Sequence, residues 1–85
     1  MPQITVYSGP GCPYCERAKQ LFKKKGVAFE DFDVRADESK LVEMMEKSNG
    51  KRTIPQIFIG GQHIGGCDDL YALENAGKLD ALLAS

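Results

Sequence analysis

Cys12 and Cys15 stand three positions apart in Gly11-Cys12-Pro13-Tyr14-Cys15. Two thiols at that spacing can close a small disulfide or share a metal ion, and their setting decides between the two. The apolar, β-branched run Ile4 to Tyr7 leads into Ser8-Gly9-Pro10-Gly11, which reads as a buried strand entering a tight loop. Pro13 suits the first turn of a helix, where a missing N–H costs nothing. Cys12 is therefore expected at a helix N-terminus, facing unpaired backbone N–H groups and the positive end of the dipole. Both favour the thiolate, the species that attacks a disulfide, and should bring the Cys12 pKa down. Cys12, at the loop edge, is the expected nucleophile. Cys15, one turn in and partly covered, is the expected resolving thiol. Tyr14 is expected at the surface beside the sulfur, where it can shield or contact a bound thiol.

The competing chemistry is zinc. Cys12, Cys15, His63 and Cys67 are all zinc-ligand types in a C-x₂-C…H-x₃-C order. However, 47 residues separate Cys15 from His63, far more than a finger uses. The gap also has ordinary core character and needs no metal to fold. A cysteine pair at a strand–helix junction reads as redox chemistry.

The elements that must hold this pair follow from periodicity. After the strand at 4–7, Tyr14, Ala18, Leu21 and Phe22 recur at helical spacing, and Gly26 stops the helix. Lys23, Lys24 and Lys25 then sit where cations meet the negative end of the dipole. Val27 to Val34 alternates as a second strand. Asp37 or Ser39 caps a second helix, with Leu41, Met44 and Met45 on one face and Asn49-Gly50 at its end. Gln56–Ile59 and Gln62–Gly65 form a hairpin about Gly60-Gly61. Asp68 and Asp69 open a third helix that Gly77 closes, and a last helical piece runs from Leu79 to Leu83. The order βαβαββα predicts an α/β fold with a mixed four-stranded sheet and helices on both faces.

At 85 residues, with 42% hydrophobic and 27% charged residues, the chain 1–85 is expected to be one globular domain and a monomer. A net charge of −1 argues against nucleic acid, whose binders carry a basic face. No run approaches the ~20 apolar residues of a membrane span. Met1-Pro2-Gln3 opens without a basic or apolar leader, and three cysteines do not suit a stapled secreted domain. The cytoplasm is the expected compartment.

Four features in order then carry a family resemblance: CPYC at Cys12–Cys15, TIP at Thr53–Pro55, the hairpin from Gln56 to Gly65, and GGCDD at Gly65–Asp69. In these the whole chain resembles the glutaredoxin family, in its small bacterial dithiol form. The resemblance implies a thioredoxin-like fold and a glutathione-disulfide oxidoreductase. Glutathione would be a co-substrate, with no permanently bound cofactor. Glutathionylated or disulfide-bonded proteins would be the substrates, with ribonucleotide reductase a family candidate.

The resemblance also implies site residues. Pro55 would be cis and face the cysteines, and the Ile54 backbone would pair with glutathione as a short strand does. Tyr14 and Thr53 would flank the ligand. Gly66, Cys67 and Asp68 match the γ-glutamyl site: N–H groups opening the third helix take the carboxylate, and Asp68 takes the ammonium. Asp69 is read as a cap, the Cys67 thiol as filler, and His63 as half exposed without a catalytic task. Two positions depart from the family, where Gly9 and Val42 stand at places commonly basic or polar. Lys51 and Arg52 are the cations expected to compensate. CPYC argues against the iron–sulfur-bridging role that the family associates with CGFS. The absence of Trp argues against thioredoxin.

Overall fold

The computed structural model describes residues 2–84. The elements are β1 (Ile4–Ser8), α1 (Pro13–Lys24), β2 (Glu30–Asp33), α2 (Glu38–Lys47), β3 (Gln56–Ile59), β4 (Gln62–Gly65), α3 (Cys67–Asn75) and α4 (Leu79–Ala84). The sheet order is β2-β1-β3-β4. β1 runs parallel to β2, with Thr5 opposite Glu30, and antiparallel to β3, with Ile4 opposite Ile59. The parallel pair is bridged by α1, as a parallel pair requires a crossover.

Alternation along β1 sends side chains to two separate cores. Ile4 and Val6 join Ala18, Phe22, Ile57 and Leu70 on the face covered by α1 and α3. Tyr7 joins Val34, Met44 and Phe58 on the face covered by α2. Fully burying a side chain such as Phe22 or Leu70 stabilises by about 1.5–3 kcal/mol, so the sheet is held from both sides. Gly60 and Gly61 have φ of 58° and 83°, the double positive φ of a tight hairpin turn.

Two boundaries differ from the sequence expectation, and at a third the structure selects one of the two expected caps. The second strand is four residues long, shorter than the expected 27–34. The Val27 N–H is taken by the Phe22 carbonyl at 3.2 Å, closing α1, so Val27 packs on the core without joining the ladder. Asp37, not Ser39, caps α2, accepting the Ser39 N–H at 3.0 Å. α3 begins at Cys67 with Gly66 as its cap position.

The lysine run has a structural role at Lys25. Its ammonium pairs with Glu74 at 2.8 Å and Asp80 at 2.7 Å, tying the end of α1 to α3 and α4.

Candidate active site

Cys12 is itself the N-cap residue of α1. Its Sγ accepts the Cys15 N–H at 3.2 Å, while its carbonyl accepts the Glu16 N–H at 3.2 Å. The sulfur therefore lies against the unpaired donors of the first turn. In this structure Cys12 and Cys15 form a disulfide, with Cα atoms 5.2 Å apart. Their accessibilities diverge sharply. Cys12 is partly exposed, whereas Cys15 has no exposed surface. Cys15 is thus deeper than the partial cover expected, because it heads the buried stripe Cys15, Ala18, Leu21 and Phe22 of α1. Tyr14, expected on the stripe's spacing and also at the surface, is outside the stripe and 54% exposed.

Beside the disulfide, the Ile54–Pro55 peptide bond is cis and the Ile54 carbonyl oxygen lies 4.0 Å from Cys12 Sγ. An open cleft of about 370 Å³ begins here. Tyr14, Thr53, Ile54, Pro55, Gly66, Cys67 and Asp68 all line it, so the residues singled out from the sequence converge. Lys51 lines it as well, while Arg52 and Val42 do not. Val42 projects from α2, 47% exposed.

The two aspartates at the start of α3 differ. Asp69 Oδ2 accepts the Gly66 N–H at 3.0 Å and so caps the helix. Gly65 permits this: it has φ of +118°, and a Cβ there would sit 2.8 Å from Asp69 Cγ. Asp68 is exposed and makes no hydrogen bond or ion pair among the described residues. Cys67 is 4% exposed, and burial pushes its thiol pKa up, which keeps it protonated and inert.

Sequence reasoning missed the residues that brace this cleft. Gln56, only 3% exposed, donates from Nε2 to the Thr53 carbonyl at 2.9 Å and to Thr53 Oγ1 at 3.0 Å. Its Oε1 is left as the acceptor for His63 Nε2 at 2.7 Å, which places a proton on that nitrogen. His63 also stacks on Phe58, with ring centroids 4.9 Å apart. His63 therefore lines the cleft and orients Gln56, a task not expected of it. The signal was Gln56 itself, a polar residue in a strand of otherwise buried apolar ones, which must find partners. Arg17 is a second brace, 5.4 Å from the Tyr71 ring centroid and 6.0 Å from that of Tyr14. Among the described residues, no three His, Cys, Asp or Glu side chains are grouped as a metal site would need, and no helix is long and apolar enough to cross a membrane.

A strand–helix junction presenting one partly exposed cysteine and one buried cysteine, beside a cis-proline loop and a helix N-terminus, defines a thiol–disulfide site. The glutaredoxin family model matches residues 4–64. The chain is 52% identical to a probable glutaredoxin of Synechocystis sp., over 98% of this chain and 94% of that one. It is 51% identical to glutaredoxin 3 of Escherichia coli, over 98% and 99%. A buckwheat glutaredoxin–glutathione complex superposes with a TM-score of 0.87 at 32% identity, over 98% of this chain and 77% of that one. The chain belongs to the glutaredoxin family, and its mixed sheet is the thioredoxin-like fold. Membership implies thiol–disulfide oxidoreductase activity carried by the Cys12–Cys15 pair.

Proposed function

We propose that the protein is a glutathione-dependent reductase of protein disulfides and of glutathione mixed disulfides. One observation carries the reading: Cys12 is partly exposed at the helix N-terminus beside a peptide-sized cleft, with Cys15 fully buried behind it. An incoming thiolate can reach Cys12 and cannot reach Cys15.

In the monothiol cycle, Cys12 thiolate attacks the glutathione sulfur of a glutathionylated protein. The old S–S bond breaks, and the protein thiolate leaves and takes a proton. A second glutathione thiolate attacks the bound glutathione sulfur, releasing oxidised glutathione and Cys12 thiolate. In the dithiol cycle, Cys12 attacks a protein disulfide, and Cys15, as thiolate, then attacks Cys12 Sγ. This frees the second protein thiol and leaves the Cys12–Cys15 bond. Two glutathiones reverse it, the first attacking Cys12 and expelling Cys15.

The cleft supplies partners for a tripeptide. The Ile54 backbone offers strand-like pairing beside the sulfur. The N–H groups of Cys67 and Asp68 open α3 and suit a carboxylate. Asp68 suits the neighbouring ammonium, and Lys51 the second carboxylate. Tyr14 and Thr53 flank the bound peptide. The protein works as a one-domain monomer in the cytoplasm, with disulfide-bonded enzymes such as ribonucleotide reductase as its substrate class.

A reductase swap tests the reading. Glutathione with glutathione reductase should sustain turnover on a glutathionylated peptide, and thioredoxin reductase should not. The reverse outcome would end the glutathione assignment.

A further inference from the structure

We propose that Arg35, in the connection between β2 and α2, is the positioning cation of the Cys12 loop, and that Gly9 is glycine so that Arg35 can lie across it. The inference rests on Cys12 being the attacking thiol.

Gly9 is buried, and its φ is outside the left-handed region that seven other glycines occupy. Backbone conformation therefore does not call for glycine at this position. The neighbour does. A Cβ on Gly9 would lie 2.8 Å from Arg35 Cδ, 3.0 Å from its Cγ and 3.1 Å from its Nε. The Arg35 stem fills the space that a side chain at position 9 would take.

Arg35 is anchored at both ends. Asp33 Oδ1 accepts its backbone N–H at 2.9 Å and that of Ala36 at 3.1 Å. The Val34 N–H donates to the Ser8 carbonyl at 2.9 Å, which fixes this connection alongside Gly9. At the other end, Arg35 Nη1 donates to the carbonyl of Pro10, two residues before Cys12. The guanidinium thus closes over the loop that delivers the sulfur.

Its charge is uncommitted. Arg35 has no carboxylate within ion-pair distance among the described residues. The other charged groups around the sulfur have their own places. Glu16 pairs with Lys19 at 3.2 Å, Arg17 lies by the Tyr14 and Tyr71 rings, and Lys51 and Asp68 line the cleft. When the disulfide is reduced, Arg35 is a permanent cation hydrogen-bonded to the backbone two residues before the forming thiolate. It steadies the loop and favours the charged sulfur without touching it.

The reduced protein gives the test, through thiolate absorbance followed against pH. Arg35→Gln keeps the stem over Gly9 and loses the charge. For a solvent-exposed charge, the Cys12 midpoint should rise by roughly 0.2–0.7 pH unit at low salt, and the difference should shrink as salt is added. kcat/KM for hydroxyethyl disulfide below the midpoint should fall by roughly 1.5- to 5-fold, the same shift read as thiolate fraction. Arg35→Lys should retain most of both. Gly9→Lys alone should give no gain, because its side chain displaces the Arg35 stem; added to Arg35→Ala, which removes the Cγ, Cδ and Nε atoms over Gly9, it should bring the midpoint back toward wild type. A Cys12 titration unchanged in Arg35→Gln at low salt overturns the proposal, and so does a gain in Gly9→Lys alone. Cys12→Ser separates the layers: Cys15 and Cys67 still titrate there, but a transition that persists at the wild-type Cys12 midpoint shows that the attacking thiol was misassigned, a failure of the functional reading and not of Arg35 alone.

Discussion

Asp68 and Asp69 are neighbours in sequence with opposite tasks in the geometry, and substituting each should separate ligand use from folding. Asp69 Oδ2 caps the Gly66 N–H at 3.0 Å. Asp69→Ala removes that bond at an exposed helix start, a loss of about 1 kcal/mol (range ~0.5–2). In a domain of this size, that lowers the melting temperature by roughly 4–8 °C. Asp68 caps nothing and is exposed, so Asp68→Asn should change stability by less than about 0.5 kcal/mol. Its proposed partner is the ligand ammonium, in a cleft between full exposure and burial. An exposed ion pair contributes about 0.2–1 kcal/mol and a charged hydrogen bond about 1.5–3. A loss of about 1–2 kcal/mol is therefore expected, which is roughly 5- to 30-fold in the KM for glutathione. Scanning calorimetry and steady-state turnover at varied glutathione read the two effects on the same samples. If Asp68→Asn melts as low as Asp69→Ala and leaves KM alone, Asp68 is a second cap and the γ-glutamyl assignment is wrong.

Cys12→Ser should abolish activity. Cys15→Ser should keep deglutathionylation, lose reduction of disulfides that need a resolving thiol, and accumulate one glutathione on Cys12 by mass spectrometry. An adduct on Cys67 would contradict the burial of that thiol. Cys67→Ala is the control and should turn over as wild type; a serine there would bury a hydroxyl in the core. On the other face of the sheet, the buried Tyr7 hydroxyl donates to Glu43 Oε2 at 2.5 Å. That bond, with Lys40 and Lys47 assisting, holds the Glu43 carboxyl below the ordinary carboxylate range against the opposing effect of burial. A depressed pKa contributes stability that is present above the unfolded value of ~4.3 and lost as pH falls through the folded one. Glu43→Gln should therefore flatten the fall of melting temperature below about pH 4.5; an unchanged acid slope would remove Glu43 from the account.

The parts of the fold legible in the sequence are those with local causes. The hairpin strands were placed to the residue because Gly60-Gly61 fixes both ends at once. The Asn49-Gly50 stop of α2 was legible for the same reason: both residues have positive φ, 63° and 87°. The second strand was over-extended because Val27 and Phe29 are apolar and alternate, and alternation cannot show that a backbone donor is already used by the helix before it. The depth of Cys15 is written in the helical spacing. It lies three residues before Ala18 and seven before Phe22, on one apolar stripe.

The site divides along the same line. The sulfur's position at a helix start depends on five consecutive residues, and spacing was enough to find it. The residues lining the cleft came from family resemblance, and the braces behind them from neither source. Gln56 with His63 and Arg17 with Tyr71 are contacts set by rotamer and packing, across strands or between helices. Position 9 shows the limit most clearly. Read along the chain, Gly9 is a missing cation, and the nearest basic residues in the cleft motifs, Lys51 and Arg52, are the natural replacements. In space, the room at Gly9 is taken by the side chain of a residue 26 positions later. A glycine with an unremarkable φ in a buried loop marks a close approach by something else, and only the fold says by what. Such glycines can therefore be read as contact positions, and here the contacting atoms belong to an arginine with no carboxylate partner among the described residues.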